Sequence, residues 1–289
     1  MAIISFDLGG TTVKYGIWDN NELMETSSFE TPSTWADMKV KLKEVVTMFL
    51  EKYQVSGVGV SAPGAVDSEN GIIGGISAID YIHHFPILDE LRTLFELPVS
   101  IENDANCAAL AEVHYGAAKD VKNCYFLVIG TGIGGALIIN KELIKGKHLF
   151  GGEVGYMLFD DEQTLSLLGS PVQLTATYQG QTNTNLSTPE IFDLAEKGDE
   201  LASELVEKMY ASLARGIYNI SVSFDPDCIL IGGGISNRGD IKARLEEKVI
   251  KLLKSTYADQ IIPDIRVCHY QNKANLIGAI AHFKQTYSS

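Results

Sequence analysis

The stretch Ile3-Ile4-Ser5-Phe6-Asp7-Leu8-Gly9-Gly10-Thr11-Thr12-Val13-Lys14-Tyr15-Gly16-Ile17 decides the fold. Ile3, Ile4, Phe6 and Leu8 form a short apolar run, Gly9 to Thr12 supply a tight turn, and Val13, Tyr15 and Ile17 alternate. That pattern predicts two strands around a turn. It recurs further along. Tyr125 to Ile129 is a continuous apolar run, Gly130-Thr131-Gly132-Ile133-Gly134-Gly135 turns, and Ala136 to Ile139 reads as a second strand with Asn140-Lys141 at a hairpin tip. A strand, a Gly/Thr turn and a strand, met at Asp7 and again at Gly130, read as two related half-molecules, each opening on a loop of phosphate size.

Around these anchors strands and helices alternate. Thr34 and Asp37 have the spacing of an N-terminal cap, and Met38, Leu42, Val45, Val46 and Phe49 behind them share one helical face. Val55 to Ser61 reads as a strand broken at Ala62-Pro63-Gly64, and Val99 to Glu102 as a strand leading into a helix from about Asp104 to Tyr115. The residues from about Asp160 to Thr188 are polar and poorly periodic and predict a loop or lid. Helices follow over about Asp199 to Phe224 and Asp240 to Lys254, with the strand Cys228 to Ile231 and Gly232-Gly233-Gly234 between them. A last helix runs from about Lys273 to Tyr287. This alternation predicts α/β layers.

The 289 residues suit two domains, and 45% hydrophobic with 21% charged residues is an ordinary globular composition. Against 37 Asp and Glu stand 23 Lys and Arg, a formal charge of −14. That charge argues against nucleic acid and anionic membranes as partners. It leaves room for an anionic small molecule, because backbone N–H groups and a metal ion hold phosphate on an acidic protein. Cys107, Cys124, Cys228 and Cys268 form no CxxC pair, so reduced thiols are expected rather than a zinc ribbon. The N-terminal residues lack a basic region and a long apolar region, and no stretch is apolar enough to span a bilayer, so the expected address is the cytoplasm.

Either Gly/Thr turn alone reads equally as a plain hairpin. As a pair they suit phosphate, because glycine lets a ligand approach backbone N–H groups and threonine adds a hydroxyl. Asp7, just before the first loop, can hold a hydrated Mg²⁺, and Lys14 on the strand leaving it can reach a phosphate. Gly130-x-Gly132-x-x-Gly135 also spells the dinucleotide fingerprint. That motif works only when a helix follows, and Ala136-Leu137-Ile138-Ile139 is strand-like.

Four segments together resemble a known family. Asp7-Leu8-Gly9-Gly10-Thr11-Thr12-x-Lys14-x-Gly16 is similar to the first phosphate motif of the ROK family of bacterial sugar kinases. Glu102-Asn103-Asp104-Ala105-Asn106 resembles its substrate motif, Gly130 to Gly135 its second phosphate motif, and Ile231-Gly232-Gly233-Gly234-Ile235 its adenosine motif. The resemblance implies an actin/hexokinase-like ATPase fold, with two ribonuclease H-like domains flanking a cleft. It places residues 1–116 with about 275–289 in an N-terminal domain and 117–274 in a C-terminal domain. It implies ATP with Mg²⁺ as cofactors, a sugar as substrate and a homodimer as the assembly. ATP contacts would come from Asp7, Gly9, Gly10, Thr11, Thr12 and Lys14 on the first loop. On the second side they would come from Thr131, Gly132, Gly134, Gly233 and Gly234.

On the acceptor side the residues themselves offer a helix N-cap at Asn103 or Asp104. A carboxylate at a helix N-terminus is favoured in its ionised form, and an aimed carboxylate can align a sugar hydroxyl toward the γ-phosphorus. The resemblance makes Asp104 the catalytic base and Gly64, Asn103, Asp104, Glu153 and Tyr156 the sugar site. Gly151-Gly152-Glu153-Val154-Gly155-Tyr156 departs from the family's GE-x-GH segment, since Tyr156 replaces its histidine. The downstream cysteine cluster is absent as well, so the family's zinc does not carry over and no zinc site is expected. Tyr156 either packs in the core or offers a ring face to a bulky substituent. His83 and His84 lie where relatives place a substrate loop and read equally as surface residues. These departures resemble the β-glucoside kinase branch, to which N-acetylmannosamine kinase-like members are close; they imply phosphorylation of a hexose hydroxyl, O6, on glucose, a β-glucoside or N-acetylmannosamine, with weak discrimination at C1 or C2. The other class of function left open is a catalytically silent sugar-binding or ROK-type regulatory protein.

Overall fold

The computed structural model describes residues 2–159 and 162–287. The chain divides into two compact units, one of Met1–Gly116, Gly146–Phe150 and Asn272–Ser289, the other of Ala117–Lys145 and Gly151–Gln271.

In the first unit the chain runs through β1 (Ala2–Leu8), β2 (Thr12–Asp19), β3 (Glu22–Glu30), α1 (Trp35–Leu50) and β4 (Val55–Ala62). A hairpin of β5 (Ala65–Asp67) and β6 (Ile72–Gly74), then α2 (Ile87–Phe95), β7 (Val99–Asn103) and α3 (Asp104–His114) follow. The sheet order is β3-β2-β1-β4-β7, with β1, β2 and β3 antiparallel and β1, β4 and β7 parallel. β1 is buried at every residue, as its near-continuous apolar run requires of a central strand. Thr34 caps α1, accepting the Asp37 N–H, and the five apolar residues of the expected face are all buried. The sequence pattern misses β3, a largely exposed edge strand with no apolar alternation. Its local signal is Asn20-Asn21, whose φ values of 49° and 64° make the hairpin tip.

The second unit repeats this topology. It contains β8 (Cys124–Ile129), β9 (Ile133–Ile139), β10 (Glu142–Leu143), β11 (Cys228–Gly232) and β12 (Ile265–Val267). Their order is β10-β9-β8-β11-β12, again antiparallel on one side of the first strand and parallel on the other. The duplication read from two glycine loops is therefore a duplication of whole sheets. Each loop is also a hairpin turn, so the two readings of these loops are compatible. The dinucleotide fingerprint fails, because Gly135 lies inside β9 and no helix begins there.

One expectation is corrected. The span from about Asp160 to Thr188 starts at two residues outside the described set. Beyond them it holds α4 (Leu165–Gly169) and α5 (Pro171–Thr182) rather than a loop. Thr164 caps α4 and Ser170 caps α5, with Pro171 in the first turn of α5. Only Leu174 and Tyr178 of α5 are buried, so the helix carries almost no apolar stripe to read. Next come α6 (Thr188–Glu196), α7 (Glu200–Phe224) capped by Asp199, and α8 (Ile241–Ser255). Among the described residues no helix is long and apolar enough to cross a membrane.

The C-terminal helix Ala274–Tyr287 returns to the first unit and crosses α3 and β4 at glycines. A Cβ on Gly278 would lie 1.7 Å from the Cys107 carbonyl oxygen, and one on Gly59 would lie 2.4 Å from that of Ala279. Backbone meets backbone at both places, so no rotamer change makes room. Gly278→Ala is expected to lower unfolding stability by at least about 1–3 kcal/mol, the usual cost of overpacking. Gly180→Ala, in α5 with nothing within 4 Å, is expected to leave it unchanged or raise it by up to about 1 kcal/mol. Urea unfolding of the two variants compares them; equal midpoints would contradict the close crossing.

Candidate active site

The register of the first sheet brings the acidic motifs together. Asp7 on β1 pairs with Ser61 on β4, and Ser61 pairs with Glu102 on β7. All three lie at the carboxyl ends of parallel strands, where open α/β sheets place their ligands. β4 lies between β1 and β7, so the end of the first Gly/Thr hairpin and the start of α3 are two strand spacings, about 10 Å, apart.

Asp7 is 6% exposed, and its carboxylate is solvated by protein. Oδ1 accepts from the Ser61 hydroxyl and from Asn275 Nδ2, both at 3.0 Å. Oδ2 lies 3.7 Å from Lys14 Nζ across the hairpin. Beyond it Gly10, Thr11 and Thr12 are exposed, while Thr31 pins the loop from behind by donating its hydroxyl to the Gly9 carbonyl at 2.5 Å. A single carboxylate edge beside an exposed phosphate-sized loop fits a hydrated Mg²⁺, which needs only one or two carboxylates besides waters and phosphate oxygens. Among the described residues no group of three or more His, Cys, Asp or Glu could hold a metal ion.

Asn103 is the N-cap of α3; its Oδ1 accepts the Asn106 N–H at 3.2 Å and its Nδ2 donates to the Gly64 carbonyl at 2.9 Å. Gly64 has φ of 103°, and a side chain there would strike Ile73 and His83. Asp104 opens α3, half-buried, with Oδ1 accepting the Ala105 N–H at 2.8 Å. Burial pushes the Asp104 carboxyl above its ordinary value, the Ala105 N–H opposes that rise, and the charge of Asp7 adds to it. Desolvation thus outweighs the helix N-terminus, which by itself favours the ionised form.

The loop after β6 reaches both places. Ala78 stands where a Cβ on Gly10 would be, 2.5 Å away, and His83 joins the ends of the loop. Its Nδ1 donates to the Gly74 carbonyl at 3.2 Å, and its Nε2 meets the Ser77 hydroxyl at 2.8 Å. His83 therefore braces the loop, and His84 beside it has φ of 64°.

The second unit carries the remaining motif residues. Thr131 and Gly132 are exposed at the end of β8, and Gly134 lies within β9. Gly233 and Gly234 follow β11, which pairs with β8 through Gly232 and Val128. Gly233 has φ of 83°, and a Cβ there would lie 2.2 Å from the Ile129 carbonyl oxygen, so this turn folds against the second phosphate-sized loop only as glycine. Behind that loop the Ile133 N–H donates to Ser166 Oγ at 2.7 Å. Glu153 leads into the single-turn helix Val154–Tyr156 on the same side of β9, its Oε2 3.9 Å from the position of a Cβ on Gly134. Tyr156 is 65% exposed, so the core-packing reading of its ring is wrong.

Sequence reasoning missed Ser61, Asn275, Thr31 and Ser166, each of which holds a motif residue from far along the chain. None of these four contacts has a local signal, because each joins residues at least 22 positions apart.

Two mixed sheets of one topology, each with a glycine loop between its first two strands, define the actin/hexokinase-like ATPase fold. Comparison with known proteins agrees. The model of the ROK family matches residues 3–286, and the chain belongs to that family. A beta-glucoside kinase of Listeria monocytogenes is 34% identical, over 99% of this chain and 98% of that protein. The crystal structure of a ROK family protein from Streptococcus pneumoniae TIGR4 in complex with sucrose superposes with a TM-score of 0.91 at 34% identity, covering 100% of this chain and 99% of that one. The ROK hexokinase of Thermus thermophilus does so with a TM-score of 0.89 at 27% identity, covering both chains entirely.

The raised pKa of Asp104 has a consequence for stability. The folded protein holds that proton more tightly than the unfolded chain does. Its stabilising contribution is full below the unfolded pKa and is lost as pH rises through the higher folded pKa. Asparagine keeps an oxygen for the Ala105 N–H and never ionises. The Asp104→Asn variant is therefore expected to melt above wild type at pH 8, with the gap closing in acid. Thermal melts at both pH values check this; a variant that melts below wild type at pH 8 contradicts it.

Proposed function

We propose that this chain is an ATP-dependent sugar kinase that transfers the γ-phosphoryl group of ATP to a hydroxyl, O6, of a hexose or hexose derivative. The observation that carries the reading is the placement of Asp104 within the first unit. It opens a helix at the same sheet end as Asp7 and the exposed Gly9–Thr12 loop. Phosphoryl transfer needs little covalent help from protein; it needs positioning and charge neutralisation. Asn103, held on both ends of its amide, presents its remaining hydrogen-bonding capacity to a sugar hydroxyl. Asp104, ionised, accepts the hydrogen bond of the acceptor hydroxyl and takes its proton as the oxygen–phosphorus bond forms. The family resemblance assigns phosphate contacts to Gly9–Thr12 in the first unit and to Thr131, Gly132 and Gly134 in the second, with adenosine contacts at Gly233 and Gly234. Mg²⁺ bound with the nucleotide and held through Asp7 would neutralise phosphate charge. The same resemblance assigns Glu153 and Tyr156 to the sugar. The names of the relatives support the activity, and the homodimer follows from the family resemblance.

A coupled ATP-consumption assay over a panel of sugars tests the reading directly. Asp104→Asn is expected to lose turnover by roughly 10²–10⁴-fold while sugar binding stays within about tenfold. A variant keeping more than about a tenth of wild-type turnover would remove Asp104 from the role of base.

Specificity follows from Tyr156 in place of the family's histidine, since its ring offers an apolar face to a bulky substituent. Losing a polar partner removes discrimination at the hydroxyl it would have held. A sugar substituted at C1 or C2 is expected to be phosphorylated at least as well as glucose. Values of kcat/KM for glucose, cellobiose, a β-methyl glucoside and N-acetylmannosamine decide it. Preference for glucose by more than about a hundredfold over all three would overturn the expectation.

A further inference from the structure

A buried charge beside the acceptor residues has no part in the chemistry above. Glu102, at the end of β7, is 1% exposed. Its Oε1 accepts from the Asn103 backbone N–H at 2.7 Å and from Asn106 Nδ2 at 2.9 Å. Its Oε2 accepts from the Ser68 hydroxyl at 2.7 Å, in the turn between β5 and β6, and lies 3.8 Å from His282 Nε2 on the C-terminal helix. A strand end, the first turn of α3, the β5–β6 hairpin and the C-terminal helix thus meet on one carboxylate.

These are the pieces that shape the acceptor site. Asn106, held by Glu102 through its side chain, donates its backbone N–H to Asn103 Oδ1. Asn103 in turn holds the Gly64 carbonyl, at the entrance to the hairpin that Ser68 ties back to Glu102. The loop of hydrogen bonds closes on Glu102. A buried carboxylate is costly, and a packed apolar residue commonly stabilises such a position at least as well. What an apolar residue does not supply is an oxygen that receives the Asn103 N–H and the Asn106 amide together.

We propose that Glu102 is a positioning residue for the phosphoryl acceptor: it sets the orientation of Asn103 and of the α3 terminus that carries Asp104, and it locks the β5–β6 hairpin against them. The inference rests on the acceptor role given to Asn103 and Asp104 above. It requires an acceptor oxygen at the Oε1 position rather than a charge, so glutamine serves there and leucine does not.

Steady-state kinetics of Glu102→Gln, Glu102→Leu, Asn106→Ala and Ser68→Ala, with the sugar and ATP varied separately, test it. Glu102→Gln is expected to stay within about fivefold of wild type, and Glu102→Leu to lose about 100-fold in kcat/KM for the sugar with KM for ATP unchanged, the scale of an ångström misplacement. Should Glu102→Leu fail to fold, the single-donor variants carry the test. Each is expected to lose about three- to tenfold on the sugar side only. Equal losses for sugar and ATP, a glutamine variant as poor as leucine, or variants indistinguishable from wild type would each overturn the proposal. A wild-type protein that phosphorylates no sugar would instead overturn the proposed function, and this role with it.

Discussion

A carboxylate near the end of a strand buried along its whole length must be solvated by protein, and much of the first unit is arranged to do so. Asp7 takes Ser61 from β4, Asn275 from the start of the C-terminal helix and Lys14 from β2. Each partner belongs to a different element. The one charge therefore ties together the central strand, the parallel strand beside it, the hairpin and the last helix of the chain. Breaking the set would leave an uncompensated buried charge, which costs far more than any single exposed ion pair contributes. With Asp7 fixed, the loop beyond it can stand in solvent without wandering, since Thr31 holds its rear carbonyl.

The same topology serves two chemistries. At the carboxyl ends of its parallel strands the first unit places Asp7, Glu102 and Asp104, and the charge of Asp7 bears on Asp104. At the matching ends the second unit places glycines, and there the close approach of backbone to backbone sets the geometry. Gly155 shows how tight this is: a Cβ there would lie 1.8 Å from the Ile133 carbonyl oxygen. The segment with Glu153 is thus pressed onto β9 by the absence of side chains, and Tyr125 fixes it further by donating its hydroxyl to the Gly152 carbonyl at 2.7 Å. Burial and the nearby Glu153 charge push the Tyr125 hydroxyl upward in pKa, which keeps it a donor.

Legibility in the sequence followed locality. The two glycine hairpins, the Thr34 cap, the long helix from about Asp199 and the helix opening at Asp104 are written in residues a few positions apart, and each stands where the pattern put it. β3 and α5 were hidden because neither buries a periodic face; edge and surface elements are stabilised by pairing and caps that leave little hydrophobic trace. The resemblance to the ROK family rested on four short motifs in order, three of them legible because glycines that admit close backbone approach lie close together in sequence.

The sequence by itself determined the duplicated strand-loop-strand plan, the absence of a helix after the second glycine loop, and the identity of the acidic residues at the strand ends. It did so because period, turn chemistry and capping act over neighbouring residues. Only the tertiary structure decided which groups solvate those acids. Register across parallel strands aligned Asp7 with Ser61 and Ser61 with Glu102, and the return of the C-terminal helix brought Asn275 to Asp7. Tyr156 turned out exposed and His83 became a brace for the same reason. A side chain's burial and partners depend on segments distant along the chain, and no local pattern encodes what those segments bring.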